Sequence, residues 1–338
     1  MKILSPALKG LGALIVILIL GTLALGDYVY RTGTTVRCGV HPFHAANTPA
    51  RFETPGPGEG PFRGEGWNRW VGHDLSRWWL PHIPYKEVRI LDPRRSVTIA
   101  GWWIAPNFPE QKSTVIVAHG IDSSRQNFDT LMPAAMLLRA GFNVLLIDLR
   151  DQGGTTCEDG RHSAGQDESD DIVTAAYWLK SMQAIPLSKI GVHGVSGGAL
   201  AAIISAAKNP EIAAFSLEAP VFDFNRAATD EVRYQGFPGE LWRAAYWAAR
   251  IRGIDLMRVR PADGVDALKG RPAQVLHGDA DSRVAYQNAL DLVAYAGSVG
   301  EPVALHTFSG ADHVEGLLKE PDRYRDLLTA FFSRALNP

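Results

Sequence analysis

Residues 189–202 read Lys-Ile-Gly-Val-His-Gly-Val-Ser-Gly-Gly-Ala-Leu-Ala-Ala and indicate how this chain folds. A short apolar run ends in glycines that surround Ser196, and an alanine-rich pattern of helical type follows at once. The motif Gly194-x-Ser196-x-Gly198 between a strand and a helix is the signature of a nucleophile elbow, in which the serine takes a strained backbone conformation. The stretch therefore predicts a serine nucleophile at the carboxyl end of a buried strand, beside the positive end of a helix.

Strands and helices alternate on both sides of this elbow, from Tyr85 to the carboxyl terminus. Apolar runs predict strands at 88–91, 97–104, 114–118, 142–148, 212–217, 273–276 and 303–306, and helical periodicity predicts helices at 127–140 and 169–183. Such alternation is typical of a doubly wound, mostly parallel sheet that binds its ligands at the carboxyl ends of the strands. We therefore expect residues 85–338 to form an α/β domain.

The loops after the last two predicted strands contain the partners that a serine nucleophile needs. Serine attacks a carbonyl carbon only when a base takes its proton, and a carboxylate must fix the tautomer of that base. Asp281 follows the penultimate strand in the run His-Gly-Asp-Ala-Asp, and His313 follows the last strand in Gly-Ala-Asp-His. We expect Ser196, His313 and Asp281 to form a catalytic triad, with Asp279 of the same loop as the alternative acid.

Acyl transfer also requires backbone N–H groups that stabilise the oxyanion of the tetrahedral intermediate. The N–H of Gly197, directly after the nucleophile, is one candidate, and the N–H of Ile121, in the loop after the strand at 114–118, is the other. His119 and His193 lie at strand ends, and we interpret both as structural hydrogen-bonding residues rather than as catalytic groups.

The alternation of strands and helices lapses for about fifty residues between Pro220 and Gly270, which is too long for an ordinary connection. Aromatic residues at helical spacing predict a helical insertion at about 221–268. Loops at this edge of a sheet normally line the pocket, so we interpret the insertion as a cap, with an inert insertion as the alternative. Residues predicted to line an apolar acyl pocket are Trp242, Tyr246 and Trp247.

No charged residue occurs from Gly10 to Gly26, a run of 17 residues. This length is just sufficient for a helix to cross the hydrocarbon core of a bilayer. We expect residues 1–30 to anchor the chain in a membrane and to place the catalytic domain outside the cytoplasm. A cleaved secretory signal, with Ala24-Leu25-Gly26 as the cleavage site, is the alternative and would give a secreted protein.

Residues 31–84 connect this segment to the α/β domain. Glycine and proline dominate 54–61, which predicts a linker or an extended loop. Tryptophans and other apolar residues recur at three- and four-residue steps over 67–79 and predict a short amphipathic helix. This helix would either pack on the domain or lie at a membrane surface.

Composition excludes several classes of function. A net charge of −2 leaves no basic field for binding a nucleic acid. The two cysteines, Cys38 and Cys157, are too few for a disulfide framework or a thiolate metal cluster. They would form one bridge in an oxidising compartment or remain free thiols. We expect no metal and no organic cofactor, and the sequence does not indicate an oligomeric state.

Five motifs together resemble the serine hydrolases of the α/β-hydrolase superfamily, similar to bacterial esterase-like members with a membrane anchor. They are His119-Gly120, Asp148-Leu-Arg-Asp-Gln-Gly-Gly154, Gly194-Val-Ser-Gly-Gly198, His277-Gly-Asp-Ala-Asp281 and Gly310-Ala-Asp-His313. The resemblance implies that the acid is the last residue of His-Gly-x-x-Asp, which is Asp281. The chain departs from many relatives where Asp151-Gln152 replaces Gly-His, in a loop that usually borders the pocket.

The activity implied by this resemblance is hydrolysis of a small or lipid-like carboxylic ester through an acyl-Ser196 intermediate. A serine peptidase or thioesterase on the same fold is an alternative, because the same triad cleaves amides. A catalytically inactive binding protein is an alternative from another class, but no member of the triad is missing. An oxidoreductase is excluded because the glycines at 194–198 surround a nucleophile and lack the dinucleotide fingerprint.

Overall fold

A computed structural model of the chain describes residues 6–57, 69–105 and 113–336. The chain divides into two compact units. One unit comprises Met1–Thr35 and Asn225–Arg258, and the other comprises Val36–Phe224 and Val259–Pro338. We refer to them as the helical unit and the hydrolase unit.

An eight-stranded sheet with the order β1-β2-β4-β3-β5-β6-β7-β8 forms the centre of the hydrolase unit. The first two strands pair antiparallel, β2 pairs antiparallel with β4, and the other pairs are parallel. This confirms the predicted mostly parallel sheet. The strands are Lys86–Asp92, Val97–Ile104, Thr114–Ala118, Asn143–Ile147, Ile190–Val195, Ala214–Glu218, Ala273–Gly278 and Val303–Phe308.

Helices cover both faces of this sheet, because its central strands are apolar on both sides. In β3, Val115 and Val117 belong to the core cluster that includes α2 and α10, whereas Ile116 and Ala118 belong to the cluster that includes α3 and α4. The helices of the hydrolase unit are α2 (Phe128–Arg139), α3 (Glu168–Met182), α4 (Gly197–Lys208), α7 (Pro261–Asp266), α8 (Gln287–Ser298), α9 (Gly316–Lys319) and α10 (Pro321–Leu336).

The segment before the sheet packs on the hydrolase core instead of forming the amphipathic helix that the tryptophan spacing predicted. Residues 67 and 68, where that prediction begins, lie outside the described residues. The described part contains 3-10 turns at residues 69–70 and at Ser76–Trp78, with turn and irregular backbone between them. Trp70 and Trp78 are 3% and 2% exposed within the same core cluster as Phe128. Both indoles therefore pack on the hydrolase unit, and the membrane-surface alternative for this segment is wrong.

The expected linker is also partly ordered against the hydrolase unit. Phe52 is fully buried, and the indole N–H of Trp79 donates to its carbonyl oxygen at 2.6 Å. His44 is buried, with its Nε2 atom 3.0 Å from the Oγ of Ser124. Residues 58–61 of the glycine- and proline-rich run lie outside the described residues.

In the part of the helical unit that the structure describes, the α-helices are α1 (Pro6–Thr34), α5 (Phe224–Tyr234) and α6 (Trp242–Ile251). Helix α1 contains the segment Lys9–Thr34, which by length and composition can cross a membrane. Its carboxyl-terminal half packs directly on α6, because Gly26 has no side chain and the backbone of Ala244 occupies the space that a Cβ would fill.

The predicted insertion at 221–268 is helical, but its end belongs to the hydrolase unit. The part within the helical unit is Asn225–Arg258. Helix α7 lies in the hydrolase unit, where Gly264 approaches the carbonyl oxygen of Ile203 in α4 so closely that a Cβ would overlap it.

Candidate active site

The nucleophile elbow has the predicted strand, turn and helix, formed by β5, Ser196 and α4. Ser196 has φ 52° and ψ −113°, a conformation that costs a non-glycine residue conformational energy. A Cβ on Gly194 would overlap the carbonyl oxygen of Gly198, and a Cβ on Gly198 would overlap that of Ala118. Both positions therefore require glycine if the strand and the helix are to pack this closely.

Ser196, His313 and Asp281 lie together after the carboxyl ends of β5, β8 and β7. The Oγ atom of Ser196 is 3.1 Å from Nε2 of His313, and Nδ1 of His313 is 2.8 Å from Oδ2 of Asp281. With Nδ1–H donated to the carboxylate, Nε2 is the nitrogen that can accept the serine proton. The geometry is therefore suited to a base that activates a serine hydroxyl.

The carboxyl group of Asp281 is held in its ionised form. Burial alone raises its pKa, but the charge of His313 and hydrogen bonds from His277 and His313 outweigh burial and hold the pKa well below its usual range. The Oδ1 atom accepts the N–H groups of Arg283 and Val284 at 2.8 and 2.7 Å. Nε2 of His277 lies 3.1 Å from Oδ2. Asp281 can therefore stabilise an imidazolium at neutral pH.

Two further aspartates connect the loops that hold the acid and the base. The Oδ1 atom of Asp312 accepts the N–H and the hydroxyl of Ser282 at 2.7 and 2.8 Å, and the N–H of His313 at 2.7 Å. Asp279, the alternative acid, accepts the N–H of Gly310 at 2.6 Å. Asp279 is therefore placed to support the loop, whereas Asp281 contacts the imidazole.

Sequence patterns missed three residues that contact the triad or its backbone. His277 and Asp312 lie inside the two motifs that supplied the acid and the base, so their position in those motifs was an available signal. Trp70 precedes His313 by 243 residues, and its indole N–H donates to the carbonyl oxygen of His313 at 3.0 Å. No local pattern indicates a contact over that separation.

Ile121 and Gly197, the predicted oxyanion-hole residues, lie side by side next to the nucleophile. A Cβ on Gly197 would be 3.1 Å from the backbone nitrogen of Ile121, and a Cβ on Gly120 would be 3.4 Å from Cβ of Ser196. Gly197 begins α4, and the N–H groups in the first turn of a helix have no partner within the helix. The positions suit the predicted role, which stays a prediction.

His119 connects the loop of Ile121 to the end of β4. Its Nε2 atom accepts the N–H of Leu149 at 3.0 Å, so the proton resides on Nδ1, which donates to the carbonyl oxygen of Gly120 at 2.6 Å. Burial lowers the pKa of His119, which keeps the ring neutral. These contacts fit the structural interpretation of this histidine.

A buried polar cluster lies behind the nucleophile. His193 contacts the Oγ of Ser216 and the hydroxyl of Tyr324, both at 3.2 Å, and burial lowers its pKa to about 3. The carbonyl oxygen of Glu218 accepts the N–H of Ser196 at 2.8 Å. Burial raises the pKa of the Glu218 carboxyl well above its usual range, which favours its protonated form. Burial thus favours the neutral form of both His193 and Glu218.

Asp151 and Gln152, which replace the Gly-His of many relatives, have clear structural partners. The Oδ1 atom of Asp151 accepts three backbone N–H groups from residues 158–160, at 2.6, 2.9 and 2.9 Å. Oε1 of Gln152 accepts the N–H of Ser123 at 3.3 Å. Gln152 therefore connects its own loop to the loop of Ile121, and Asp151 orders the loop at residues 158–160.

Cys38 and Cys157 form a disulfide that closes a separation of 119 residues within the hydrolase unit. The two sulfurs and the carboxylate of Asp151 lie within 4.8 Å of one another, a spacing that would suit metal ligands. Because the sulfurs are joined, they are not thiolates, and this group does not fit a metal site.

Trp242, Tyr246 and Trp247, the predicted pocket residues, lie together on α6 in the helical unit. Their ring centroids are 6.1 Å apart for the first pair and 5.9 Å apart for the second. Trp242 and Tyr246 are half-buried, whereas Trp247 is 60% exposed. The triad lies in the hydrolase unit, so the acyl-pocket role of these residues stays a prediction.

Comparison with solved structures places the chain among α/β-hydrolases. It is 25% identical to the esterase Pf2001 of Pyrococcus furiosus, with a TM-score of 0.62 over 76% of this chain and 96% of that one. The α/β-hydrolase GrgF of Penicillium sp. sh18 is 17% identical with a TM-score of 0.62, over 76% of this chain and 100% of that one. A puromycin-hydrolysing peptidase of Mycobacterium tuberculosis is 15% identical with a TM-score of 0.61, over 77% of this chain and 40% of that one. The last two show the fold alone.

Residues 128–338, more than half of the chain, match the prolyl oligopeptidase family. The match includes the elbow, the loops of Asp281 and Asp312, and the whole sheet from β4 onward. The sheet and the esterase likeness agree with it, and they confirm the predicted superfamily and the predicted hydrolase activity. The chain is therefore a serine hydrolase of the α/β-hydrolase fold and belongs to the prolyl oligopeptidase family.

Proposed function

We propose that the enzyme hydrolyses carboxylic esters, with Ser196 as nucleophile, His313 as base and Asp281 as the acid of the triad. The observation that carries this proposal is the chain of two contacts, 3.1 Å from Ser196 to His313 and 2.8 Å from His313 to Asp281. Each contact is within hydrogen-bonding distance, and the middle residue has one nitrogen for each partner.

The reaction follows from these contacts. His313 Nε2 takes the proton of Ser196 as Oγ bonds to the carbonyl carbon of the ester, and the carbonyl electrons move onto oxygen. The N–H groups of Ile121 and Gly197 stabilise that oxyanion. When the intermediate collapses, the ester C–O bond breaks and His313 protonates the leaving alcohol. Water then repeats these steps on acyl-Ser196, which releases the carboxylic acid and restores the serine.

The likeness to the P. furiosus esterase supports an ester rather than a peptide as substrate. The chain aligns with almost all of the P. furiosus esterase, at 96% of its length, but with only 40% of the puromycin-hydrolysing peptidase. More than half of the peptidase chain therefore has no counterpart in the aligned part of this chain. An ester also has a better leaving group than an amide, so the triad alone suffices to cleave it. We expect a small-molecule or lipid-like ester.

Turnover of matched substrates tests this proposal. We expect p-nitrophenyl esters of graded acyl length to give a much higher kcat/KM than the p-nitroanilides and thioesters of the same acyl groups. Ser196→Ala serves as the control for background hydrolysis. Anilide turnover equal to ester turnover would assign a peptidase instead, and faster thioester turnover would assign a thioesterase.

We also propose that α1 is an uncleaved anchor and that the hydrolase unit is extracytoplasmic. The disulfide between Cys38 and Cys157 fits an oxidising compartment, where such bonds persist. Cleavage after Gly26 would remove the turn of α1 that packs on Ala244 in α6. Those contacts favour the anchor over a secretory signal.

A further inference from the structure

Helix α6 exposes two large apolar side chains on one side. Trp247 and Ile251 are 60% and 71% exposed. Residues four positions apart lie next to each other on a helix surface, so these two form a continuous patch. The other side of α6 is buried within the protein, at Ala245, Ala248 and Ala249. The helix thus offers an exposed apolar surface opposite its buried side.

Contacts with α1 place this patch beside the end of the apolar helix segment. Asp27 is the first charged residue after the uncharged run that ends at Gly26, and its carboxylate lies 2.5 Å from the guanidinium of Arg252. The ring of Tyr28 packs edge-on against Phe237, with centroids 5.9 Å apart. Helix α6 therefore lies beside the position on α1 where the apolar run ends and the first charged residue, Asp27, follows.

That level corresponds to the headgroup region when α1 spans a bilayer. Residues of α1 from Leu11 to Leu25 are exposed except for the half-buried Leu23, and hydrocarbon is the solvent that suits them. Tryptophan concentrates at the boundary between headgroups and hydrocarbon, and arginine there attracts anionic lipid. The exposed face of α6 has Trp247 together with Arg243, and with Arg250, which pairs with Asp255 at 2.5 Å. Tryptophan and arginine on one exposed face are typical of an interfacial helix.

We propose that Trp247 and Ile251 insert into the lipid interface, so that α6 is a second membrane contact beside α1. The proposal rests on the anchoring role of α1 proposed above. It gives Trp247 a lipid-facing role in place of the acyl-pocket role predicted from the sequence. The occupant of the patch is the phospholipid bilayer itself, with a second copy of the chain as the competing occupant.

Site-directed spin labelling of the full chain measures this directly. The only two cysteines form the disulfide, so a cysteine introduced by Trp247→Cys or Ile251→Cys is the single labelling site. Glu240→Cys is the matched control in the same unit, because the side chain of Glu240 is 81% exposed and polar. Each variant is reconstituted into vesicles of phosphatidylcholine and phosphatidylglycerol, and collisions of the nitroxide with oxygen and with a water-soluble nickel chelate are compared.

We expect labels at 247 and 251 to collide several times more often with oxygen than with the nickel chelate, and the label at 240 to show the reverse. Water-like accessibility at 247 and 251 would overturn the proposal. Protection from both reagents, or spin–spin broadening from a second copy, would also overturn it. Failure of α1 as anchor is recognised separately, by loss of co-sedimentation with the vesicles or by a mass that lacks the amino-terminal residues.

A second inference concerns Trp70, which lies in the segment before the sheet. Its indole N–H donates to the carbonyl oxygen of His313 at 3.0 Å, and its ring packs edge-on against Phe128 at 5.2 Å. Its neighbour Arg69 contacts the carbonyl oxygen of Gly310 at 3.4 Å and the carboxylate of Glu315 at 3.3 Å. Trp70 and Arg69 thus hold the His313 loop through contacts with its backbone and side chains.

We propose that Trp70 is a positioning residue that keeps Nε2 of His313 in line with Ser196. This inference rests on the proposed triad. The base must stay within hydrogen-bonding distance of Ser196 in every turnover, and a displacement of 1 Å at a catalytic group costs about 10²-fold in rate. The hydrogen bond from Trp70 restrains the one backbone carbonyl of His313, which the side-chain contacts of the triad do not reach.

Two matched substitutions test this role. Trp70→Phe and Trp79→Phe each keep an aromatic ring and remove an indole N–H that donates to a carbonyl oxygen, of His313 and of Phe52 respectively. We expect Trp70→Phe to lower kcat for a p-nitrophenyl ester about tenfold with KM within about twofold of wild type, because only the transition state needs the aligned base. Trp79→Phe should lower the melting temperature similarly and leave kcat unchanged.

Equal kcat for the two variants would overturn the proposal. If Trp70→Phe fails to fold, Arg69→Met tests the proposal instead. The side chain of Arg69 is 48% exposed, so its replacement leaves the packing of the core unchanged. A fall of a few-fold in kcat at unchanged melting temperature supports the role of the segment, and wild-type kcat contradicts it. If the triad assignment itself is wrong, Ser196→Ala retains activity, which separates the two failures.

Discussion

Replacing Ser196 or His313 by alanine should each lower kcat for ester hydrolysis by about 10⁴-fold or more. The two residues act as one unit, because the hydroxyl is a poor nucleophile without the base and the base has no proton to take without the hydroxyl. The double variant should therefore lose little beyond either single variant. The residual rate comes from the oxyanion-stabilising N–H groups and substrate binding, which neither change removes.

Steady-state kinetics and labelling with a fluorophosphonate measure this effect. Wild-type enzyme should be labelled in proportion to its activity, whereas Ser196→Ala should not be labelled. His306→Ala, at a partly exposed position on β8, is the histidine control and should keep activity. Persistent labelling of Ser196→Ala, or additive losses in the double variant, would refute the assignment.

Asp281→Asn should lower kcat by about 10³- to 10⁴-fold with a well-folded protein. An amide in place of the carboxylate presents an N–H to Nδ1 of His313, which favours the tautomer with the proton on Nε2 and leaves no base for Ser196. It also removes the negative charge that stabilises the imidazolium. Because the pKa of Asp281 is lowered, the wild-type carboxylate stays ionised over the whole neutral range, and the loss should be constant there.

Asp279→Asn is the matched control for this effect. Asp279 lies two residues earlier on the same loop, is exposed, and accepts only the N–H of Gly310 among the hydrogen bonds described. We expect its replacement to cost less than about tenfold in kcat, because an amide oxygen can still accept that N–H. A larger loss for Asp279→Asn than for Asp281→Asn would reverse the assignment of the acid.

Local sequence patterns were sufficient to predict most strands of the sheet and the order along the chain of the candidate site residues. Strands at 97–104 and 114–118 have the predicted bounds, because short apolar runs ended by polar or glycine residues have few other ways to be buried. Loops after parallel strands meet at one edge of the sheet, so the sequence could predict the proximity of Ser196, Asp281 and His313.

Periodicity failed where side chains pack one by one instead of along a helix face. The tryptophan spacing from residue 67 to 79 is of helical type, yet Trp70 and Trp78 reach the core from turns. Gly72 has φ 80°, which interrupts a helix, and the burial of two indoles outweighs the helix hydrogen bonds that are lost. The spacing of residues along the chain does not show which surface their side chains pack against.

The sequence by itself determined the fold and predicted the nucleophile and the base, because their signals lie within a few residues of strand ends. The resemblance already favoured Asp281 over Asp279, and the tertiary structure added that Asp281 contacts the imidazole whereas Asp279 contacts the N–H of Gly310. It also decided that Cys38 pairs with Cys157 and that α1 packs on α6. The last two contacts each join residues more than a hundred positions apart. Such a contact depends on where the chain is brought in space, and no local pattern of residues records that position.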